Sequence, residues 1–283
     1  MCQSRILRTT GFCGALVLFS VFAVFPILWM VITAFKQNTD LYNPINNPFL
    51  FNLPPTLSHI GFLFTQTNYP IFLWNSLFIG VVVVAITLVL AVPAAYSLAR
   101  LMGHWGEHSS IAIFLVYLIP PTLLFIPLYE IVTELGAANT VWSLILVYPT
   151  ITIPFCTWLL LSFFRSIPRE VEEAALTDGW SRIGVFFRVA LPLAIPGITT
   201  CIVFAFALSL SDYIYAAVFV STSSSRTVSA GVPTELIRGD IYYWQALMAA
   251  AAIVGIPLAV IYGMLFDWLV RGFQVELPRS QNS

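Results

Sequence analysis

Chemistry at neutral pH calls for a histidine, a thiol, a lysine or paired carboxylates held near a substrate. This 283-residue chain is poor in all four. Its three histidines, His59, His104 and His108, lie in polar connections. Cys2, Cys13, Cys156 and Cys201 show no paired spacing, so they read as small hydrophobes, not as a disulfide framework or a zinc site. Lys36 is the only lysine and no G-x-x-x-x-G-K-S/T occurs, so no loop here is built to cradle ATP phosphates. Asp212 is the one clear mid-span carboxylate, and an ionisable group there marks a pathway or an interface.

Charge gathers instead in residues 165–192. This stretch reads as a short helix, a tight turn and a second short helix. Ser166 can cap the start, and Pro168 suits the first turn, where its missing N–H costs nothing. Glu170, Glu172 and Glu173 crowd the helix end that favours negative charge. Val171, Ala174 and Ala175 share one face by their spacing. Gly179 stands where a left-handed residue is needed, and Ser181 can cap a second helix with Ile183, Phe186 and Phe187 on one side. Helices that lie on a membrane present Lys and Arg, whereas carboxylates lead this one. Its narrow Ala-Ala face suits a partner's groove.

The elements that must position these residues are set by composition. The chain is 59% hydrophobic and 9% charged, with a mean hydropathy of +0.90, against roughly 25% charged in soluble domains. No charge occurs between Asp40 and Arg100. A soluble enzyme, a disordered tail and a basic nucleic-acid binder are excluded. A bilayer core of about 30 Å needs about 20 apolar residues of helix. Six runs qualify: 12–35, 72–99, 111–129, 141–164, 193–220 and 246–270. They are continuous, not alternating, so they predict helices instead of barrel strands. The first is too long for a cleaved signal and lacks a small-x-small site, which predicts an anchor. Nine of the twelve Lys and Arg fall on one side of a six-span arrangement, which places both termini and residues 165–192 in the cytoplasm. Residues 36–71 and 221–245 then lie outside.

Glu173-Ala174-Ala175, three residues, Gly179, nine residues, Val189, one residue and Leu191-Pro192 resemble the EAA signature of bacterial ATP-binding-cassette (ABC) importer membrane subunits. Val189 stands where the family usually has Ile. Trp74-Asn75-Ser76-Leu77, Ala94-Ala95-Tyr96-Ser97-Leu98-Ala99-Arg100, Pro154-Phe155, Phe163-Phe164 and Ile167-Pro168 resemble the second permease subunit of maltose-type carbohydrate importers. Ser211-Asp212-Tyr213 lies where that family often has Trp-Asn-Asp-Phe. The similarity spans residues 12 to 272, and the tail 271–283 departs from the family's Gly-rich ending.

The resemblance implies an all-α, polytopic membrane protein of the type I ABC importer fold, with residues 1–283 as one permease domain and 165–192 as its coupling loop. It implies a homologous second permease subunit, two ATP-binding-cassette ATPase subunits and an extracytoplasmic solute-binding protein, all at the bacterial cell membrane. No cofactor is expected on this chain, since ATP and Mg belong to the partner ATPase, and neither an enzyme activity nor a nucleic-acid partner is expected. Glu173, Ala174, Ala175, Asp178, Gly179, Leu191 and Pro192 are the expected ATPase-coupling residues. Aromatic and hydrogen-bonding groups suit a sugar, and Asn75, Tyr148, Thr150, Asp212, Tyr213 and Tyr215 are the candidates for a substrate pathway. A di- or oligosaccharide, a glycosyl-glycerol and a polyol all fit. The alternative is an ion-coupled secondary transporter or channel, for which Asp212 is the only clear mid-span group.

Overall fold

The computed structural model describes residues 2–273, with side chains from 11 to 266. In chain order its helices begin with α1 (Cys2–Phe35), α2 (Asn38–Leu41), α3 (Ser58–Gln66) and α4 (Tyr69–Arg100). Next come α5 (Gly103–Tyr117), α6 (Pro121–Glu134), α7 (Val141–Val147) and α8 (Pro149–Ser166). Short helices α9 (Arg169–Thr177), α10 (Arg182–Val185) and α11 (Leu191–Leu193) follow, with a π-helical turn over Phe186–Ala190. The remainder is α12 (Ile195–Ser211), α13 (Ile214–Phe219), α14 (Val228–Leu236) and α15 (Trp244–Phe273). Between α14 and α15, β1 (Ile237–Arg238) pairs antiparallel with β2 (Ile241–Tyr242).

Four helical stretches are long and apolar enough to cross a membrane, and six if each of two bent pairs counts as one span. The expected span 111–129 is not straight: α5 and α6 meet at 90°. Pro120 and Pro121 sit at that corner, and the residue before a proline is driven out of helical geometry. The expected span 193–220 is also interrupted. Its helix α12 is bent 72° from the segment before it, and the chain breaks again at Asp212 and Tyr213. His104 and His108 belong to the first turns of α5 rather than to a connection. Ser166 does not cap the next helix: its hydroxyl donates to Phe163 O at 2.7 Å and closes α8. Pro168 takes the cap position, just ahead of the first turn of α9.

The chain forms two compact units. In the first, residues 1–70 and 232–259, every side chain of α1 from 11 to 28 is exposed. Beyond α1 the Asn-rich stretch folds round a buried ion pair. Lys36 and Asp40 are each 1% exposed, with Lys36 Nζ 3.7 Å from Asp40 Oδ2. The Asp40 carboxylate accepts from Asn46 Nδ2 at 2.9 Å, Asn52 Nδ2 at 2.8 Å and Asn52 N at 3.1 Å. Lys36 Nζ also donates to Asn47 O at 3.0 Å. Burial alone raises a carboxyl, but these hydrogen bonds outweigh it and hold Asp40 below its usual value.

The second unit, residues 71–231 and 260–283, holds two apolar clusters. One gathers Tyr96, Leu160, Phe164, Ala190 and Cys201; the other gathers Ile79, Leu144, Tyr148, Tyr215 and Phe219. Helices α8 and α12 approach closely because Gly197 has no Cβ, which would lie 2.6 Å from the Phe163 ring. Cys156 and Cys201 face each other there as free thiols, each directed at the other's carbonyl. Thr87 of α4 and Thr152 of α8 share a buried hydrogen bond of 2.6 Å.

Candidate functional site

The stretch after Ser166 folds as a helical hairpin, and its turn follows from one glycine. Gly179 has φ +90°, a region that costs an L-residue about 1–2 kcal/mol. Its N–H donates to Leu176 O at 3.1 Å, and the Trp180 N–H donates to Ala175 O at 3.2 Å. These two bonds close α9 as a Schellman motif. Ser181 caps the second limb, accepting from the Gly184 N–H at 3.1 Å. The Arg188 guanidinium lies 4.3 Å over the Trp180 ring and ties the turn to the limb that follows.

Helix α9 has two distinct faces. Val171, Glu173, Ala174 and Asp178 are exposed and Ala175 is half-buried, so most of the signature residues face outward. Glu172 points the other way and is 7% exposed. Its Oε1 accepts from Arg100 Nε at 2.7 Å and its Oε2 from the Tyr96 hydroxyl at 3.0 Å. Arg100 Nη2 also donates to Ile167 O at 2.7 Å. Removing one partner of such a buried pair typically costs about 3–5 kcal/mol. A polar cavity of about 220 Å³ flanks this contact, with Arg169, Glu173 and Arg182 at its wall. Leu191 and Pro192 lie apart from the exposed face of α9. They line an apolar groove of about 600 Å³ with Val89, Val92 and Pro93 of α4.

Sequence reasoning named Glu172 only as one of three helix-start glutamates and Arg100 only as the end of the Ala94–Arg100 stretch, and did not pair them. The available signal was Arg100, the first charge after a 59-residue uncharged stretch, at the end of the helix that leads to the hairpin.

Three of the six expected pathway residues come together. Asp212 sits in the break between α12 and α13, where its Oδ2 accepts from the N–H groups of Tyr215 and Ala216 at 3.0 and 3.3 Å. The same oxygen accepts from the Tyr148 hydroxyl at 3.2 Å. Tyr215 is buried, and its hydroxyl donates to Pro121 O at 2.6 Å. Asn75 is engaged elsewhere, donating to Ser224 O and Arg226 O at 2.9 and 3.0 Å. Thr150 is exposed and bonds back to Val147 O. Tyr213 is 52% exposed. Among the described residues no cluster of three His, Cys, Asp or Glu could hold a metal ion.

Residues 87–275 match the family described as binding-protein-dependent transport system inner membrane component. The chain is 32% identical over 272 residues to the inner membrane ABC transporter permease protein YcjP of Escherichia coli, covering 95% of this chain and 96% of that one. It is 34% identical over 251 residues to the sulfoquinovosyl glycerol transport system permease protein SmoH of Agrobacterium fabrum, covering 88% and 86%. Its fold is similar to a chain of a bacterial ABC transporter involved in the import of the acidic polysaccharide alginate. The TM-score is 0.76 at 19% identity, over 92% of this chain and 96% of that one.

Proposed function

The chain belongs to the binding-protein-dependent transport system inner membrane components, the multi-pass permeases of ABC importers, and on that premise we propose that it passes a sugar or sugar-like solute inward. Six spans with both termini in the cytoplasm follow from the Arg and Lys distribution, each bent helix pair then counting as one span. The chain works as a heterodimer with a homologous permease. An extracytoplasmic binding protein delivers solute, and two ATPase subunits hold ATP and Mg. This chain binds no cofactor of its own.

One observation supports the coupling role most strongly. Helix α9 is anchored by the buried Glu172 while Glu173 and Ala174 stay exposed, which is how a helix seated in a partner's groove is presented. The exposed face of α9 from Glu173 to the turn at Asp178 and Gly179 is the ATPase contact, and Leu191 and Pro192 back the hairpin against α4. For the solute, the names of relatives such as the sulfoquinovosyl glycerol permease support a sugar class. Tyr213, Thr150 and the Asp212–Tyr148 pair are the residues assigned to its path. Asn75 and Tyr215 hold the backbone around it.

The test is uptake into proteoliposomes that contain this chain, its partner permease and its ATPases, with binding protein and a panel of labelled sugars outside. Uptake should require ATP in the lumen and survive collapse of ion gradients by ionophores. Uptake that ignores ATP and is abolished by ionophores would establish the ion-coupled alternative.

A further inference from the structure

We propose that Arg100, Glu172 and Tyr96 tie the hairpin to α4, so that α4 is the membrane helix driven directly when the ATPases move α9. This rests on the reading of α9 as the ATPase contact and adds the helix on which that motion acts. The hairpin is joined through the chain to α8 and α12, but a chain connection bends easily. The Ile167–Pro168 step is extended, with ψ of 124° and 133°, and a π-helical turn follows α10. The first link is an extended step and the second meets α12 at a 72° bend, so neither continues as a straight helix into its span.

The contacts with α4 are of another kind. Arg100 grips Ile167 O ahead of α9 and Glu172 on its first turn, with both side chains of the ion pair less than 10% exposed. One turn earlier, Tyr96 donates to the other oxygen of Glu172. Its ring lies 5.5 Å from Phe164 at the end of α8 and 4.8 Å from Phe186 on the second limb. The last turn of α4 is thus bonded to the first limb and packed against the second. Hydrogen-bonded ion pairs fix direction as well as distance, so a displacement of α9 moves the end of α4 with it. Glu172 and Glu173 divide the work: the first holds the hairpin to its own membrane helix, and the second remains for the partner.

The experiment measures solute moved per ATP hydrolysed in the assembled transporter, together with subunit stoichiometry after purification. Glu172→Gln and Arg100→Gln should assemble at wild-type stoichiometry and lower that ratio at least tenfold. The exchange Arg100→Glu with Glu172→Arg should recover at least a third of it. Tyr96→Phe, which keeps the ring contacts, should lower the ratio two- to fivefold. If the variants assemble and keep the wild-type ratio, the tie is refuted. It is also refuted if the Gln variants fail to assemble while Tyr96→Phe leaves the ratio unchanged, since the contact is then architecture only. A wild-type complex without ATP-driven uptake would refute the transport reading itself, a separate result.

Discussion

The Tyr148 hydroxyl donates to Asp212 Oδ2 at 3.2 Å and ties the α7–α8 junction to the break between α12 and α13. Tyr148 joins α7 to α8 just before Pro149, and Asp212 joins α12 to α13. The Tyr148 backbone keeps its helical partners, Leu144 O and the Thr152 N–H, so an unbroken stretch of helix is held to the break at Asp212. Asp212 repairs its own break by accepting from the Tyr215 and Ala216 N–H groups.

Asn caps a helix about as well as Asp, whereas Ala costs about 1 kcal/mol. Asp212→Ala should lower the thermal midpoint of the solubilised protein and abolish uptake. Asp212→Asn should keep the midpoint and still lose uptake, because it keeps the cap and removes the charge. Normal uptake in Asp212→Asn would reduce Asp212 to a capping residue.

Gly179 has open space where a Cβ would go, so substitution there strains only the backbone. Gly179→Val should yield a membrane-inserted protein that binds its ATPases weakly, or lets them hydrolyse without transport. Gly179→Asn should be milder, since Asn tolerates positive φ. Trp180→Phe keeps a ring beneath Arg188 and should also be mild. Substitutions in 271–283 should be milder still; residues 274–283 of that tail lie outside the described structure. Full coupling in Gly179→Val, measured as uptake with stimulated hydrolysis, would remove the turn from the mechanism.

Much of the hairpin was legible because its signals are local. A glycine at a left-handed position and a serine before a helix reveal themselves without a partner. Glu172 did not, because three glutamates on neighbouring turns look alike until the end of α4 shows which one meets Arg100. The corner at Pro120–Pro121 was visible as a pair of prolines, yet hydropathy runs straight through it. Asp212 stood out as a mid-span carboxylate, but its capping role depends on a break that an unbroken apolar run conceals. The Asn-rich stretch read as loop, and its buried Lys36–Asp40 pair came only from the fold.

Burial lowers the His59 imidazole below its usual 6.5, and the bond from Nε2 to Lys36 O at 3.1 Å offsets part of that. A lowered folded value favours neutral His59, so its contribution is present above the unfolded value and is lost as pH falls through the folded one. Asp40, also lowered, contributes above 3.8 and loses its share only below that. Protease nicking of residues 36–68 should therefore rise as pH drops from 7.5 to 5, well before Asp40 protonates. His59→Gln should flatten that rise; an unchanged pH profile would exclude His59 as its source.

Thr87 and Thr152 pair across α4 and α8 with no exposure to solvent. Either single change to Val leaves a buried hydroxyl unpaired and should cost about 1–3 kcal/mol. The double change to Val should cost less than the sum of the singles, read from thermal midpoints. Additive losses would mean the two hydroxyls do not depend on each other.

The exposed face of α9 offers the most direct test of the transport reading. With Ala174→Cys as the reporter in an otherwise cysteine-free chain, a short thiol cross-linker should join this chain to an ATPase subunit. The yield should change when ATP is bound, and an impermeant maleimide added to intact cells should leave the site unlabelled. Labelling of Ala174→Cys from outside the cell, or no cross-link in an assembled and active complex, would contradict the coupling role of the hairpin.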